Sequence, residues 1–113
     1  MKFDALVLVC SFLVAPLAWA GVDRAVVGAG TAKCATYLES VSKGFDPSLN
    51  VVASWTQGYL SAANIGRMNM RLPLLDLPDL EQIRAWHASY CKQHPNDLLY
   101  ESTDSLLNSL QTR

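Results

Sequence analysis

The chain has 113 residues, half of them hydrophobic, and nine lysines and arginines stand against ten acidic residues for a formal net charge of −1. A balance so close to zero, with no basic stripe interleaved with aromatics, excludes nucleic acid as an expected partner. No long basic amphipathic helix is present to lie on a membrane, and stable membrane insertion is not expected.

The first residues read as a secretory leader. Lys2 supplies a thin positive start, weakened by Asp4, and residues 5–15 form a short apolar core. Pro16 and then Ala18-Trp19-Ala20 follow, and the small-x-small pattern suits signal peptidase cleavage before Gly21. Residues 1–20 are therefore expected to be a signal peptide, and the periplasm the working compartment. Cys10 lies inside the apolar core after Val9, which is not the small residue that lipoprotein processing prefers, so it is expected to leave with the leader.

Ninety-three residues remain, enough for one domain but marginal without reinforcement. Two cysteines remain with them, Cys34 and Cys91. In an oxidising compartment, two cysteines in a small chain are most simply a disulfide, and closing a loop of this size stabilises by roughly 4 kcal/mol in the chain-entropy model. Residues 21–30, rich in glycine and without a period, read as a flexible arm before a helical domain over residues 31–113.

Helical periodicity organises that domain. A first helix is expected over residues 31–43, with Cys34, Tyr37, Leu38 and Val41 on one face and Gly44 in the left-handed position after its end. A second opens at Asp46-Pro47 and runs to residue 64, with Leu49, Val52, Trp55 or Thr56, Tyr59, Leu60 and Ala63 on one side. Gly58 interrupts it at a cost near 1 kcal/mol relative to alanine, which suggests close approach of another backbone.

Residues 65–78, broken by Gly66, Pro73 and Pro78, read as a long connector. Met68, Met70, Leu72, Leu74, Leu75 and Leu77 make it unusually apolar. It is read either as a lid folded over the core, with Arg67 and Arg71 pointing outward, or as a surface for a partner. The third helix starts with Asp79 and Gln82 in capping-box spacing and runs to residue 93, with Ile83, Trp86, His87, Tyr90 and Cys91 on its inner face. Asn96 is expected to cap a fourth helix over residues 97–111, striped by Leu99, Thr103, Leu106, Leu107 and Leu110. The fold class is all-α: a small four-helix domain with one disulfide, Cys34 to Cys91, behind a cleavable signal peptide.

The search for chemistry finds little. His87 and His94 are seven apart, but no carboxylate or thiol completes a zinc-like ligand set, and no serine sits in a nucleophile elbow. Asp76, Asp79 and Glu81 cluster where the dipole of the third helix favours acids. The chain is expected to be no enzyme and to need no cofactor or metal.

Cys34-Ala35-Thr36-Tyr37-Leu38, and above all residues 90–100, Tyr-Cys-Lys-Gln-His-Pro-Asn-Asp-Leu-Leu-Tyr, resemble the HdeA/HdeB group of small periplasmic acid-stress chaperones. That resemblance implies an all-α fold whose two matching cysteines join helices. The plan is also similar to a broader set of one-disulfide helical proteins that includes Tai-type immunity proteins. Residues 55–64, Trp-Thr-Gln-Gly-Tyr-Leu-Ser-Ala-Ala-Asn, look more like that broader set. The first expectation is a non-enzymatic acid-stress chaperone that covers unfolding clients with apolar surface. The alternatives are an immunity protein or secretion-system accessory that holds one specific protein, and a helical periplasmic protein whose role no sequence feature reports. In either binding role the contact residues are expected among Trp55, Tyr59, Arg67, Met68, Met70, Arg71, Leu74 and Leu75, and a homodimer is among the arrangements the sequence allows.

Overall fold

A computed structural model describes residues 25–113; the expected signal peptide and the start of the arm lie outside the described residues. A 3-10 turn at Gly28–Thr31 leads into four helices, α1 (Cys34–Lys43), α2 (Asp46–Asn69), α3 (Leu80–Gln93) and α4 (Leu99–Gln111). The domain is all-α, and the one strand-like pairing among the described residues is an isolated antiparallel bridge between Lys33 and Leu98.

That bridge explains why α1 begins three residues after the expected residue 31. The Cys34 N–H donates to the Asp97 carbonyl at 2.8 Å and the Leu99 N–H to the Ala32 carbonyl at 2.9 Å, so this backbone is extended and already paired. α1 ends as expected at Gly44, whose φ of 63° lies in the left-handed region where glycine carries no Cβ penalty.

α2 runs to Asn69, past the end expected at residue 64, and shortens the connector to residues 70–79. One interior glycine costs only about 1 kcal/mol and does not stop a helix that is otherwise packed. Its true end is a Schellman turn. The Arg71 N–H reaches the Met68 carbonyl at 3.1 Å and the Leu72 N–H reaches the Arg67 carbonyl at 2.9 Å, with Arg71 at φ 57° in the place a glycine usually takes. Neither Gly58 nor Gly66 meets a neighbour: a Cβ at either would find nothing within 4 Å, so Gly58 marks no close approach within this chain.

α3 carries the expected capping box, with the Gln82 N–H on Asp79 Oδ1 at 2.8 Å and the Asp79 N–H on Gln82 Oε1 at 3.0 Å. α4 starts two residues later than expected. Asp97 does not join it, because its carboxylate accepts the Tyr90 hydroxyl at 2.6 Å and its backbone holds α1; the Leu98 N–H is met instead by Glu101 Oε2 at 2.7 Å.

Cys34 and Cys91 form the disulfide, S–S 2.12 Å, joining the first residue of α1 to the last turns of α3. Around it lies one apolar cluster, Tyr37, Leu49, Val52 and Leu99. A second, Ala53, Leu60, Ile83, Leu106 and Leu110, receives Leu75 and Leu77 from the connector. Between the two, at the intermediate positions of α2, α3 and α4, sits a layer of fully buried polar side chains, Thr56, His87, Ser102 and Thr103.

The end of the arm is held rather than loose: Trp55 Nε1 donates to the Val27 carbonyl at 2.9 Å, and Gly30 lies so close under the indole that any Cβ would collide with it. Glycine is required there for space. At Gly58 and Gly66 it is not, so Gly58→Ala and Gly66→Ala are each expected to raise stability by about 1 kcal/mol in urea denaturation of the monomeric domain, whereas Gly30→Ala should lower it.

Candidate protein-binding surface

The C-terminal half of α2 and the connector that leaves it carry the largest exposed apolar side chains grouped in sequence. Ile65, Met68, Met70, Leu72 and Leu74 are exposed, with Met70 at 71% and Leu74 at 60%, and Leu80 follows at the head of α3. Scattered exposed apolar residues are ordinary, but a contiguous group rimmed by polar residues marks interaction surfaces. Methionine and leucine suit this use, since flexible, polarizable side chains adapt to varied partners.

The backbone beneath the group is fixed. The Asn64 side chain imitates a strand neighbour, accepting the Leu75 N–H at 2.8 Å and donating to the Leu75 carbonyl at 3.1 Å. Arg67 Nε donates to the Pro73 carbonyl at 2.6 Å. These bonds turn Leu75 and Leu77 into the second apolar cluster and leave Leu72 and Leu74 outside it. The connector is thus half lid and half surface. Arg67 does not point outward as expected, because its guanidinium is spent on the connector; Arg71 is exposed.

Of the residues expected to form the contact, Met68, Met70, Arg71 and Leu74 lie together on this exposed edge. Leu75 and Arg67 support it from within. Trp55 and Tyr59 lie farther back along α2 and are engaged elsewhere: Trp55 covers the 3-10 turn, and the Tyr59 hydroxyl donates to Asp104 Oδ1 at 3.3 Å. Burial, and then the neighbouring Asp104 carboxylate, raise the Tyr59 phenol above its ordinary range. Ile65 and Leu80 belong to the same exposed set but were not among the expected contact residues. The exposed side of α2 adds to the apolar character, since no charged residue occurs from Pro47 to Gly66.

A groove of about 420 Å³ lies between the connector, α3 and α4, lined by Leu77, Trp86, Leu106 and Leu110 together with Asp76 and Arg113, and none of the exposed edge residues lines it. Gln82 and Ser89 add polar groups to its wall, and the indole Nε1 of Trp86 is occupied by the Ser102 carbonyl at 2.9 Å. Asp79 is the α3 cap, so the acidic residues at 76, 79 and 81 serve the helix start in part.

The two histidines are far apart in role. His94 follows the end of α3 and stacks on Tyr90, ring centroids 4.5 Å apart. His87 is fully buried, with Nε2 at 2.8 Å from Thr56 Oγ1 and Nδ1 at 2.8 Å from Ser102 Oγ. A serine hydroxyl beside an imidazole has the spacing of a nucleophile and its base. Here both are 0% exposed, and the second ring nitrogen faces a threonine in place of an orienting carboxylate. Burial alone lowers the His87 pKa to about 4, so the ring is neutral at neutral pH. Tyr90 is pushed up to about 12, first by its hydrogen bond to Asp97 and then by burial. Among the described residues no group of three or more histidine, cysteine or acidic side chains is placed to hold a metal ion.

Thr56, His87 and Thr103 were legible as inward-facing positions of their helices, but not as one hydrogen-bonded unit, and Ser102 was missed altogether. The signal was available, since hydroxyls and an imidazole at core positions of three different helices need each other as partners.

No protein-family model matches the chain, and no curated protein sequence or solved structure matches it at a significant level.

The anchoring of the edge is testable. Asn64→Ala removes both bonds to Leu75, and stability is expected to fall by about 1–2 kcal/mol. Amide hydrogen exchange at Leu75 should quicken in this variant while exchange in α1 stays unchanged.

Proposed function

We propose that this chain is a non-enzymatic, exported protein-binding domain that acts as an acid-stress chaperone of the HdeA/HdeB kind, holding unfolding clients on the apolar edge formed by α2 and the connector. The observation that carries the reading is that edge: Ile65, Met68, Met70, Leu72 and Leu74 stand exposed on a backbone pinned by Asn64 and Arg67. Large exposed apolar groups cost solubility and are kept where something is to be bound.

Charge supplies the acid response. Without Lys2 and Asp4 the chain has nine acidic side chains, eight basic ones and two histidines. At about pH 2 the carboxylates are mostly neutral and the side-chain charge approaches about +10. Self-repulsion then favours an opened domain with more apolar surface, while the disulfide keeps α1 and α3 together and limits what must be rebuilt on return to neutral pH.

A second reading has its own observation. The edge is already exposed in the closed fold, which suits an immunity protein or secretion-system accessory that binds one partner at neutral pH through a preformed patch. The two differ in pH dependence and in client range.

Light scattering from an acid-stressed periplasmic client separates them. The chaperone reading predicts suppression of aggregation at about pH 2 by the wild-type chain, and a loss of at least several-fold in the Met70→Asp, Leu74→Asp double variant with unchanged helical circular dichroism at neutral pH. No suppression by the wild type at low pH would remove it.

A further inference from the structure

The buried polar layer separates two apolar clusters and is tolerated only while each of its groups keeps a hydrogen-bond partner. Four helices meet at it. His87 comes from α3, Thr56 from α2, Ser102 and Thr103 from α4, and the Tyr37 ring of α1 packs edge-on against the imidazole at a centroid distance of 5.6 Å.

Hydrogen counting assigns the state of the ring. Thr103 Oγ1 donates to the Leu99 carbonyl at 2.9 Å and Thr56 Oγ1 to the Val52 carbonyl at 3.0 Å, each one helical turn back. With its proton so used, Thr56 Oγ1 accepts from the imidazole, which places the His87 proton on Nε2. Nδ1 is then the acceptor for the Ser102 hydroxyl. Every donor has an acceptor only while the ring is neutral. A second proton on Nδ1 turns it into a donor facing Ser102 Oγ, whose own hydrogen must leave its acceptor inside a site with no solvent.

No charge on the surrounding helices offsets an imidazolium. On α1, Glu39 pairs with Lys43. Asp46 of α2 pairs with Arg84 of α3, and Arg67 of α2 is bound to the connector. Glu101 of α4 holds the Leu98 N–H, Asp104 accepts from Tyr59, and Asp97 accepts from Tyr90. Glu81 opens α3 and Lys92 closes it. The Tyr37 phenol donates to the Arg84 carbonyl and turns away from the ring.

We propose that His87, sealed in this hydroxyl layer where the four helices meet, is an acid sensor whose protonation loosens the packing of α3 against α2 and α4. The direction follows from linkage. The folded-state pKa of about 4 lies below the ordinary value of 6.5, so the unfolded chain takes up the proton first as pH falls. The contribution of the neutral ring is full above pH 6.5, declines through the interval down to about 4, and is gone below it. The folded-to-unfolded ratio should fall by about 100-fold by pH 4, where half the folded rings carry the proton, and by about 300-fold once both states are fully protonated, which is about 3 kcal/mol at 1.36 kcal/mol per pH unit. The interval opens above the ordinary carboxylate range and closes within it, so the loss of stability begins before the general self-repulsion. Its use in acid stress rests on the chaperone reading; the sensor itself does not.

The test is urea denaturation of the disulfide-intact wild type and of His87→Gln at pH values from 7 to 4. Glutamine keeps a donor and an acceptor but does not titrate. The wild type should lose about 100-fold in the folding ratio relative to His87→Gln between pH 7 and pH 4, and parallel curves would overturn the proposal. Should His87→Gln fail to fold, imidazole nitrogen NMR of the wild type decides. A proton on Nε2 and titration near pH 4 support the sensor, and titration near 6.5 overturns it. Client protection in a wild type with no such pH slope would remove the sensor and leave the chaperone reading standing, whereas a slope without protection would do the reverse.

Discussion

The covalent joining of Cys34 to Cys91 is the constraint on which the arrangement of the helices depends. It fixes the start of α1 against the end of α3 across fifty-seven positions of sequence. The extended pairing of residues 32–34 with 97–99 then follows beside it, because the same few residues of backbone are already close. With α1 and the turn before α4 tied to one spot, α2 passes the disulfide cluster and packs along α3 and α4, and its C-terminal half extends to the apolar edge. In a domain this small the hydrophobic clusters alone are thin, and a loop closure worth roughly 4 kcal/mol is a large share of the net stability.

The core is stratified, and the strata have different uses. The cluster around the disulfide is held by a bond that pH does not break. The cluster under the connector is held by packing and by the Asn64 clamp. The polar layer lies between them and depends on the protonation state of one ring. On the proposed acid response, the junction and the outer cluster would weaken while the sulfur link and its neighbours stay in place, and new apolar surface would appear next to surface that is already exposed.

Much of this was readable from the residues. The capping box of Asp79 and Gln82, the helix start at Asp46-Pro47, the left-handed glycine after α1 and most inward faces follow from local chemistry, but Asp46 pairs with Arg84 and caps nothing, and Val41 is exposed and not on the inner face of α1. The start of α1, the end of α2 and the start of α4 shifted because tertiary partners took over. Ala32 and Asp97 pair with other backbone, and α2 continues through Gly66 to a turn that Arg71 closes in an unusual left-handed conformation. The exposed edge was partly legible as a connector too rich in methionine and leucine. Its division into a clamped half and an open half depends on Asn64, whose role has no periodic signature. The hydroxyl and imidazole layer was hidden for a similar reason: threonine on a helix stripe reads as a small apolar residue until its partners on other helices are known.

The sulfur link is also the most direct point of attack. Intact-mass measurement of the protein purified without reductant, followed by urea unfolding with and without reductant at neutral pH, tests it. The account predicts a mass two hydrogens below that of the dithiol and a loss of roughly 4 kcal/mol on reduction. Two free thiols, or a stability that reduction leaves unchanged, would contradict it.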